Sequence, residues 1–398
     1  MLPGVIPASA TFIRRRVANL WGQLKRYAER HRLPVTEGND VRLLPSGTEI
    51  LCCLRSLIGT AQRTVHFEIY EWANDTTGRD LMTSLLDAQA RGVKVRGVVD
   101  HLGSWDGIRM IKASGLDVRI FHPIGWRLPW CLWRRRNHRK LLIADSARAM
   151  VGSANWSNQY NDEIPPKYYR DLGIELQGPA VGQLEADFRK SWRRAGGAMP
   201  EPLPVPATRA AGPGWLSDVP IQIATSLRGG RWAIRRHFLL ILRQVQKRAV
   251  FANAYFVPDP QFLRLLLRMA RRGVAVGLIA PGNTDHPFAQ AASRATFGRL
   301  LRAGVRIWER RELVLHAKVA LLDEDLVLIG TANLDSFSFR RNLELNLMVR
   351  SKALANTLQT ALDEDQTHSR LLTLDQWITL PGYQRAIQRF AYLFWWWF

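Results

Sequence analysis

Hydrophobic runs and helical segments alternate along the chain in an order that occurs twice. Arg91–Asp100 contains the end of a helix, a glycine turn and an apolar strand, and Arg272–Ala280 has the same organisation. A further helix and short strand follow in each copy, ending in Gly115–Phe121 and in Gly304–Trp308. Buried strands of a parallel sheet are apolar runs bounded by turns, so the pattern predicts two homologous α/β lobes.

The repeat also predicts where the lobes begin and end. We expect one lobe at 37–194 and the other at 215–365. The intervening segment, 195–214, is rich in proline, alanine and glycine, which is typical of a linker. The remaining segments are 1–36 and 366–398.

Both end segments combine basic and large apolar residues. From Thr11 to Arg30, apolar residues at helical spacing alternate with arginine and lysine, which is typical of a basic amphipathic helix. A helix docked on the protein's own core would show the same spacing. The other end closes in an aromatic run that contains Trp395, Trp396 and Trp397, and such rings favour a membrane interface.

Charge and composition narrow the choice of partner and location. Lysine and arginine number 56 against 34 acidic residues, a formal charge of +22, which predicts a polyanionic partner, either nucleic acid or acidic lipid. The three cysteines are too few for a disulfide framework or a zinc site, which favours a reducing location. No secretory leader and no apolar run of about 18 residues is evident, so we expect membrane association to be peripheral.

The sharpest repeat is a set of polar residues with identical spacing. The first copy consists of His138, Lys140, Asp145, Ser153 and Asn155, and the second of His316, Lys318, Asp323, Thr331 and Asn333. Residues two apart on a strand share a face, so each histidine points the same way as its lysine. If the lobes pack about a pseudo-twofold axis, both sets meet in one cleft. They would supply the nucleophile, the acid and the fixed donors that cleavage of a phosphodiester needs.

Single residues of this set can also have purely structural roles. A lone histidine near a strand is more often a core or surface residue, but two copies at one spacing reverse that expectation. Asp145 and Asp323 follow a buried run, where an aspartate commonly binds turn amides, so we favour a structural role for them. Glu175 and Glu344 lie on apolar strands after the motifs. We expect each to orient the histidine of its own lobe, the alternative being a salt bridge to an arginine.

The paired motifs resemble those of the phospholipase D superfamily. The resemblance covers nearly the whole chain and implies a duplicated α/β fold, with two mixed-sheet lobes flanked by helices and the active site at their pseudo-twofold interface. Within the superfamily, Glu68–Asp75, Asp100–Ser104 and Asn253–Asp259 are similar to segments of short bacterial cardiolipin synthases without transmembrane helices. Ala254 departs from the Thr-Pro-Tyr-Phe pattern of many relatives.

The resemblance implies a phosphatidyltransferase that joins two phosphatidylglycerol molecules into cardiolipin through a phosphohistidine intermediate, releasing glycerol and needing no cofactor or metal. The implied catalytic residues are His138, Lys140, Asp145, His316, Lys318 and Asp323. The implied supporting residues are Ser153, Asn155, Glu175, Thr331, Asn333 and Glu344. The superfamily favours His138 as the nucleophile, although the near-symmetric motifs leave the two histidines exchangeable.

A loop in the first lobe adds a candidate membrane contact. The segment between the short strand and the motif is longer there than in the second lobe. The extra length contains Trp126, Trp130, Trp133, Arg134, Arg135 and Arg136. Indole rings and arginines partition well into the headgroup region, so we expect this loop and the aromatic end to contact anionic phospholipid. Single-stranded nucleic acid uses rings and charge in the same way.

Two alternatives remain open at this point. One is a hydrolase, either a phospholipase D or a nuclease, that uses water in the second step. The other is a non-catalytic binder of membranes or nucleic acid, which the charge favours and the two intact motifs disfavour. We expect a peripheral protein on the cytoplasmic side of a bacterial cell membrane, with phosphatidylglycerol as substrate and no obligate protein partner.

Overall fold

A computed structural model describes residues 35–123, 135–165, 169–198, 212–227, 232–284 and 286–397 of the chain. The predicted helix at Thr11–Arg30 and four of the loop residues, Trp126, Trp130, Trp133 and Arg134, lie outside these ranges. Most of the predicted linker, 199–211, also lies outside them.

The described residues of the first half form eight strands and four α-helices. The strands are β1 (Val35–Leu44), β2 (Thr64–Ile69), β3 (Lys94–Asp100), β4 (Asp117–Phe121), β5 (Leu141–Ala144), β6 (Arg148–Gly152), β7 (Tyr169–Arg170) and β8 (Gly173–Gln177). The helices are α1 (Gly47–Thr60), α2 (Thr76–Ala90), α3 (Ile108–Ala113) and α4 (Pro179–Arg194), and a short 3₁₀ helix covers Asn158–Tyr160.

The second half repeats this arrangement with additions at its end. Its strands are β9 (Leu216–Thr225), β10 (Arg248–Asn253), β11 (Phe256–Val257), β12 (Ala275–Pro281), β13 (Arg306–Arg310), β14 (Val314–Leu315), β15 (Lys318–Leu322), β16 (Leu326–Gly330), β17 (Leu334–Asp335), β18 (Leu345–Arg350) and β19 (Ser369–Leu372). Its helices are α5 (Ala233–Leu242), α6 (Pro260–Arg271), α7 (Pro287–Arg302), α8 (Ser336–Arg340), α9 (Lys352–Thr367), α10 (Leu374–Ile378) and α11 (Gly382–Leu393).

The two halves share one mixed sheet of fifteen strands. Its order is β19-β13-β12-β10-β15-β16-β18-β9-β1-β8-β6-β5-β2-β3-β4. Strands β2, β3 and β4 run parallel, as do their counterparts β10, β12 and β13. The antiparallel pair of β1 and β9 joins the lobes, with Val35 opposite Gln222. The duplicated α/β fold that the repeat predicts is therefore confirmed, and its lobes are continuous through their edge strands.

The strands that follow the two motifs lie deep inside the molecule. Every residue of β5 and of β15 is buried. Leu141 and Ile143 belong to the same apolar cluster as Val319 and Leu321, so the core continues from one lobe into the other. Burial of this apolar surface stabilises the contact between the two lobes, next to the histidines with which the motifs begin.

The segment after residue 365 contributes to the second lobe. Strand β19 pairs with β13, with Ile307 opposite Leu372. Helix α11 packs against α7, where Ala391 is buried with Val257 and Ala292. The final residues therefore rest on a helix that is part of the folded lobe.

Candidate active site

Each motif histidine is attached through its backbone to the opposite lobe. His138 N donates to Leu343 O at 3.0 Å, and His316 N donates to Arg170 O at 2.8 Å. A short parallel pair between β7 and β14 supports the second connection, with Leu315 opposite Arg170. These hydrogen bonds place both histidines in one cleft of about 530 Å³.

The carboxylates that contact the histidines also cross between the lobes. His138 Nδ1 lies 3.0 Å from Glu344 Oε1, and His316 Nδ1 lies 2.7 Å from Asp171 Oδ2. An ionised carboxylate can only accept a hydrogen bond, so each Nδ1 carries the proton and each Nε2 keeps a lone pair. The expectation that Glu344 orients the histidine of its own lobe is therefore wrong.

Glu175, the second acid expected to orient a histidine, makes ion pairs instead. Its carboxylate is fully buried and contacts Arg42 at 2.7 Å and Arg148. Asp171, four residues earlier, contacts His316 in its place. Asp171 directly follows β7, whose pairing with β14 connects the lobes, whereas Glu175 lies within β8.

The hydroxyl group that follows each motif glycine holds the crossing carboxylate of its own lobe. Ser153 Oγ donates to Asp171, and Thr331 Oγ1 donates to Glu344. Glycine is needed before Thr331 because the backbone of Leu345 passes close by: a Cβ on Gly330 would lie 2.2 Å from Leu345 O. Ser153 and Thr331 therefore orient the acids rather than the substrate.

The motif lysines lie under the histidines, and the carboxylates of Glu71, Asp171 and Glu344 act on the charge of Lys140. Lys140 Nζ donates to His138 O at 3.0 Å, and Lys318 Nζ donates to His316 O at 2.6 Å. Burial, together with the charge of Lys318, lowers the pKa of Lys140 to about 7. Two buried ammonium groups that repel each other form a site in which a bound phosphate would be stabilised.

The two histidines differ in the surroundings of Nε2. Burial and the charge of Lys318 lower the pKa of His316 to about 4, and Nε2 of that ring lies 3.3 Å from Tyr160 Oη and 3.0 Å from Lys318 Nζ. Burial also lowers the pKa of His138, against the opposing charge of Glu344. Among the described residues, His138 Nε2 has no hydrogen-bond partner, which leaves its lone pair directed to the cleft.

The motif asparagines line the same cleft and keep unused hydrogen-bonding capacity. Asn155 Nδ2 donates to Glu71 at 2.8 Å and to Tyr160 at 3.0 Å, while its Oδ1 is buried without a partner among the described residues. The same holds for Oδ1 of Asn333. Each free Oδ1 can therefore accept a hydrogen bond from a substrate hydroxyl group.

Sequence reasoning missed three ring and acid residues of the cleft. Tyr70 lies edge-on to His138, with ring centroids 4.9 Å apart, and its ring lies 5.1 Å from Lys140 Nζ. Tyr160 contacts His316, and Glu71 holds Asn155. Tyr70 and Glu71 belong to the family-like segment Glu68–Asp75, which is the one signal that could have found them. Neither tyrosine has a counterpart at motif spacing in the other lobe.

The motif aspartates lie at the far ends of β5 and β15, away from the cleft. Asp145 accepts hydrogen bonds from the backbone N–H groups of Gln62, Arg63 and Thr64 at 2.7 to 2.8 Å. Asp323 does the same for Gln246, Lys247 and Arg248. Both have positive φ, 53° and 51°, in turns that aspartate tolerates. This placement matches the turn role favoured from the sequence. Neither aspartate contacts the histidines or lines the cleft, so their position does not support the catalytic role that the resemblance implies for them.

Two of the three loop arginines are described, and both lie toward the protein. Arg136 is 2% exposed and lies 3.5 Å from Asp100. Arg135 Nε donates to Arg341 O at 3.3 Å and is half-buried. The expectation that Arg136 contacts the membrane is wrong, because its guanidinium group is buried beside Asp100.

The terminal tryptophans divide between the core and the surface. Trp395 packs against the cluster of Val257, Ala292 and Ala391. Trp396 and Trp397 are exposed, and Trp397 also lines the cleft, with Arg341 lying 5.5 Å from the centre of its ring. Two of the three predicted contact residues are thus available to an external surface.

Asp335, which the sequence did not single out, lines the cleft beside these groups. It caps α8 by accepting from Ser338 N at 2.7 Å, and burial raises the pKa of its carboxyl to about 7, helped by the charge of Glu344. A folded-state pKa above the unfolded one means that stability decreases as pH rises from about 4 through about 7.

Asp335→Asn is therefore expected to raise the melting temperature at pH 8 by at least ~2 °C and to leave it nearly unchanged at pH 4. Asparagine keeps the cap but has no proton to lose. Calorimetry at the two pH values measures the difference. An equal or lower melting temperature at pH 8 would contradict the raised pKa of this carboxyl.

Within the described ranges, no helix is long and apolar enough to cross a bilayer. In the same ranges, no group of three or more histidine, cysteine, aspartate or glutamate side chains is placed to hold a metal ion.

Comparison with known proteins gives a consistent result. The family described as cardiolipin synthase, phospholipase D-like domain, matches residues 54–192 and 239–366. Cardiolipin synthase B of Shigella flexneri is 31% identical over 348 residues, which cover 82% of this chain and 80% of that protein. The major cardiolipin synthase of Bacillus subtilis is 30% identical over 353 residues, covering 87% and 73%. A crystal structure of phosphatidylserine synthase from Haemophilus influenzae has the same fold, with a TM-score of 0.65 at 15% identity over 96% of this chain and 97% of that one.

Proposed function

We propose that this chain, which belongs to the phospholipase D-like cardiolipin synthase family, uses two phosphatidylglycerol molecules and a phosphohistidine intermediate. Its relatives support the activity itself, that of a phosphatidyltransferase that makes cardiolipin. The observation that carries the proposal is the crossed pair of acids. Each holds Nδ1 of one histidine, so that both Nε2 atoms serve the same cleft.

In the first step His138 Nε2 attacks the phosphorus of one phosphatidylglycerol. The bond from phosphorus to the glycerol oxygen breaks, and His316 donates a proton to that oxygen, so glycerol leaves and a phosphatidyl group remains on His138. The open Nε2 of His138 favours it as the nucleophile. The negative charge of a bound phosphate raises the pKa of nearby imidazoles, which favours the protonated form that His316 needs as an acid.

In the second step the primary hydroxyl of another phosphatidylglycerol loses its proton to His316. Its oxygen attacks the phosphorus, the bond from phosphorus to His138 breaks, and cardiolipin is formed. Lys140 and Lys318 neutralise the non-bridging oxygens, and Oδ1 of Asn155 and of Asn333 accepts a hydrogen bond from the attacking hydroxyl group.

We place the protein at an anionic membrane surface, on the cytoplasmic side, with its docking residues on α11 and the end that follows. Tyr383, Ile387, Phe390 and Leu393 are each more than half exposed and recur every three or four residues along this helix. That spacing forms one apolar face, as in helices that lie in a membrane interface.

Product analysis separates transfer from hydrolysis. The purified protein, mixed with phosphatidylglycerol vesicles, is expected to release glycerol and form cardiolipin, since the proposed second step uses the hydroxyl group of another phosphatidylglycerol. Lipid chromatography measures both products, with and without a chelator as the control for metal dependence. Phosphatidic acid as the main product would make the protein a hydrolase and overturn the proposal.

A further inference from the structure

A second pocket, separate from the catalytic cleft, lies between helices α7 and α11. It has a volume of about 340 Å³ and is lined by Arg299 and Arg302 from α7 and by Arg385 and Arg389 from α11. Trp377 and Tyr392 complete its walls, and none of its lining residues is acidic. The two arginines of each helix are three or four residues apart and so share a face.

The ion pairs of the described residues include none of the four arginines, although neighbouring arginines such as Arg294 and Arg370 both bind Glu309. Four guanidinium groups around one pocket repel each other unless an anion lies between them. Guanidinium also binds phosphate oxygens in a bidentate manner, which makes phosphate the anion this chemistry fits best.

The pocket borders an exposed apolar surface, which points to a lipid as the source of the phosphate. Leu393 lines the pocket and is also 68% exposed on the apolar face of α11. That face continues through Phe390 and Phe394, whose ring centroids are 5.3 Å apart, to Phe288 at 6.1 Å from Phe394. Phe288 and Trp397 line the catalytic cleft. An apolar path therefore links the arginine pocket to the cleft.

We propose that the pocket of Arg299, Arg302, Arg385 and Arg389 binds the headgroup phosphate of a second, non-reacting anionic phospholipid, whose acyl chains lie along the apolar face of α11. The proposal rests on the membrane location proposed above and adds a defined lipid site to it. A lipid held there anchors the protein with the mouth of its cleft toward the bilayer.

The experiment compares three double variants of the full chain. Arg385→Gln with Arg389→Gln and, separately, Arg299→Gln with Arg302→Gln remove the charge from one side of the pocket each. Arg193→Gln with Arg194→Gln removes the same charge from the exposed end of α4 in the first lobe. Binding is measured by co-sedimentation with phosphatidylcholine vesicles that contain phosphatidylglycerol as their anionic lipid.

Both pocket variants are expected to bind these vesicles about tenfold or more weakly, because each loses two charges near the anionic surface together with their direct contacts to the lipid phosphate. The control variant is expected to keep near-native affinity. An equal loss in the control would show general charge attraction and overturn the proposal. So would pocket variants that bind vesicles normally, or that lose affinity for single-stranded DNA while keeping it for vesicles.

Transfer activity on phosphatidylglycerol dispersed in detergent distinguishes this proposal from the proposed function. All three double variants are expected to keep that activity, which also shows that they fold. If the wild-type protein forms no cardiolipin in detergent, the proposed function fails while the vesicle comparison still tests the pocket. A pocket variant that loses detergent activity, although its melting temperature is unchanged, would place the arginines in the reaction and overturn a purely anchoring site.

Discussion

Replacing either His138 or His316 by alanine is expected to abolish cardiolipin formation, with a loss of at least ~10²–10⁴-fold, because nucleophile and acid–base partner cannot substitute for one another. The assay is cardiolipin formed from phosphatidylglycerol by the purified variants. His368→Ala serves as the matched control, since that histidine is 43% exposed and contacts Glu312. Its activity is expected to equal that of the wild type.

Loss of a buried contact could also unfold the protein, so each histidine needs a second variant. His138→Asn keeps a side-chain N–H that can donate to Glu344, yet it has no nucleophilic imidazole. His316→Asn keeps the same kind of donor for Asp171. We expect both to fold with near-native melting temperatures and to be inactive. Near-native turnover in either alanine variant, or in either asparagine variant, would end the two-histidine mechanism.

Glu344→Gln is expected to lower turnover by ~10²-fold, because the amide neither holds the tautomer of His138 nor stabilises its charged form. The loss is expected to act through His138, which lies in the opposite lobe from Glu344. Since the charge of Glu344 raises the pKa of His138, its removal should lower that pKa further. The pKa of His316, whose Nδ1 contacts Asp171, should change little.

Nuclear magnetic resonance of the imidazole groups measures this separation directly. In Glu344→Gln the resonance of His138 should change its titration and that of His316 should not, whereas Asp171→Asn should have the opposite pattern. Glu175→Gln is the matched control, because its carboxylate binds Arg42 and Arg148. It should lower the melting temperature and shift neither histidine. A shift of His316 in Glu344→Gln would show that the acid acts within its own lobe.

Patterns among neighbouring residues were enough to predict much of the fold and of the candidate site. The apolar runs and glycine turns indicated strands β3 and β12 and, through their repetition, the duplicated fold. The spacing of His138 and Lys140 placed both on one face because strand periodicity is a local property of the backbone. The turn role of Asp145 followed for the same reason, since an aspartate after a buried run binds amides in its own neighbourhood.

The choice of partner for each histidine depended on contacts that the spacing does not encode. Glu344 lies much closer along the chain to His316 than to His138. The packing of the two lobes nevertheless brings its carboxylate to His138, 206 residues away. Arg136 gives a similar case. A run of arginines has the composition of a surface loop, but Asp100 reaches it from the end of β3 and holds it in the interior.

The sequence by itself thus determined the class of fold, the repeat and the paired histidines and asparagines that line the cleft, because each of these leaves a periodic or repeated pattern in nearby residues. The tertiary structure alone decided which acid orients which histidine, which arginines are buried and which four line the second pocket. Those outcomes depend on side chains that are remote in the chain and that meet only when the two lobes and helices α7 and α11 pack together.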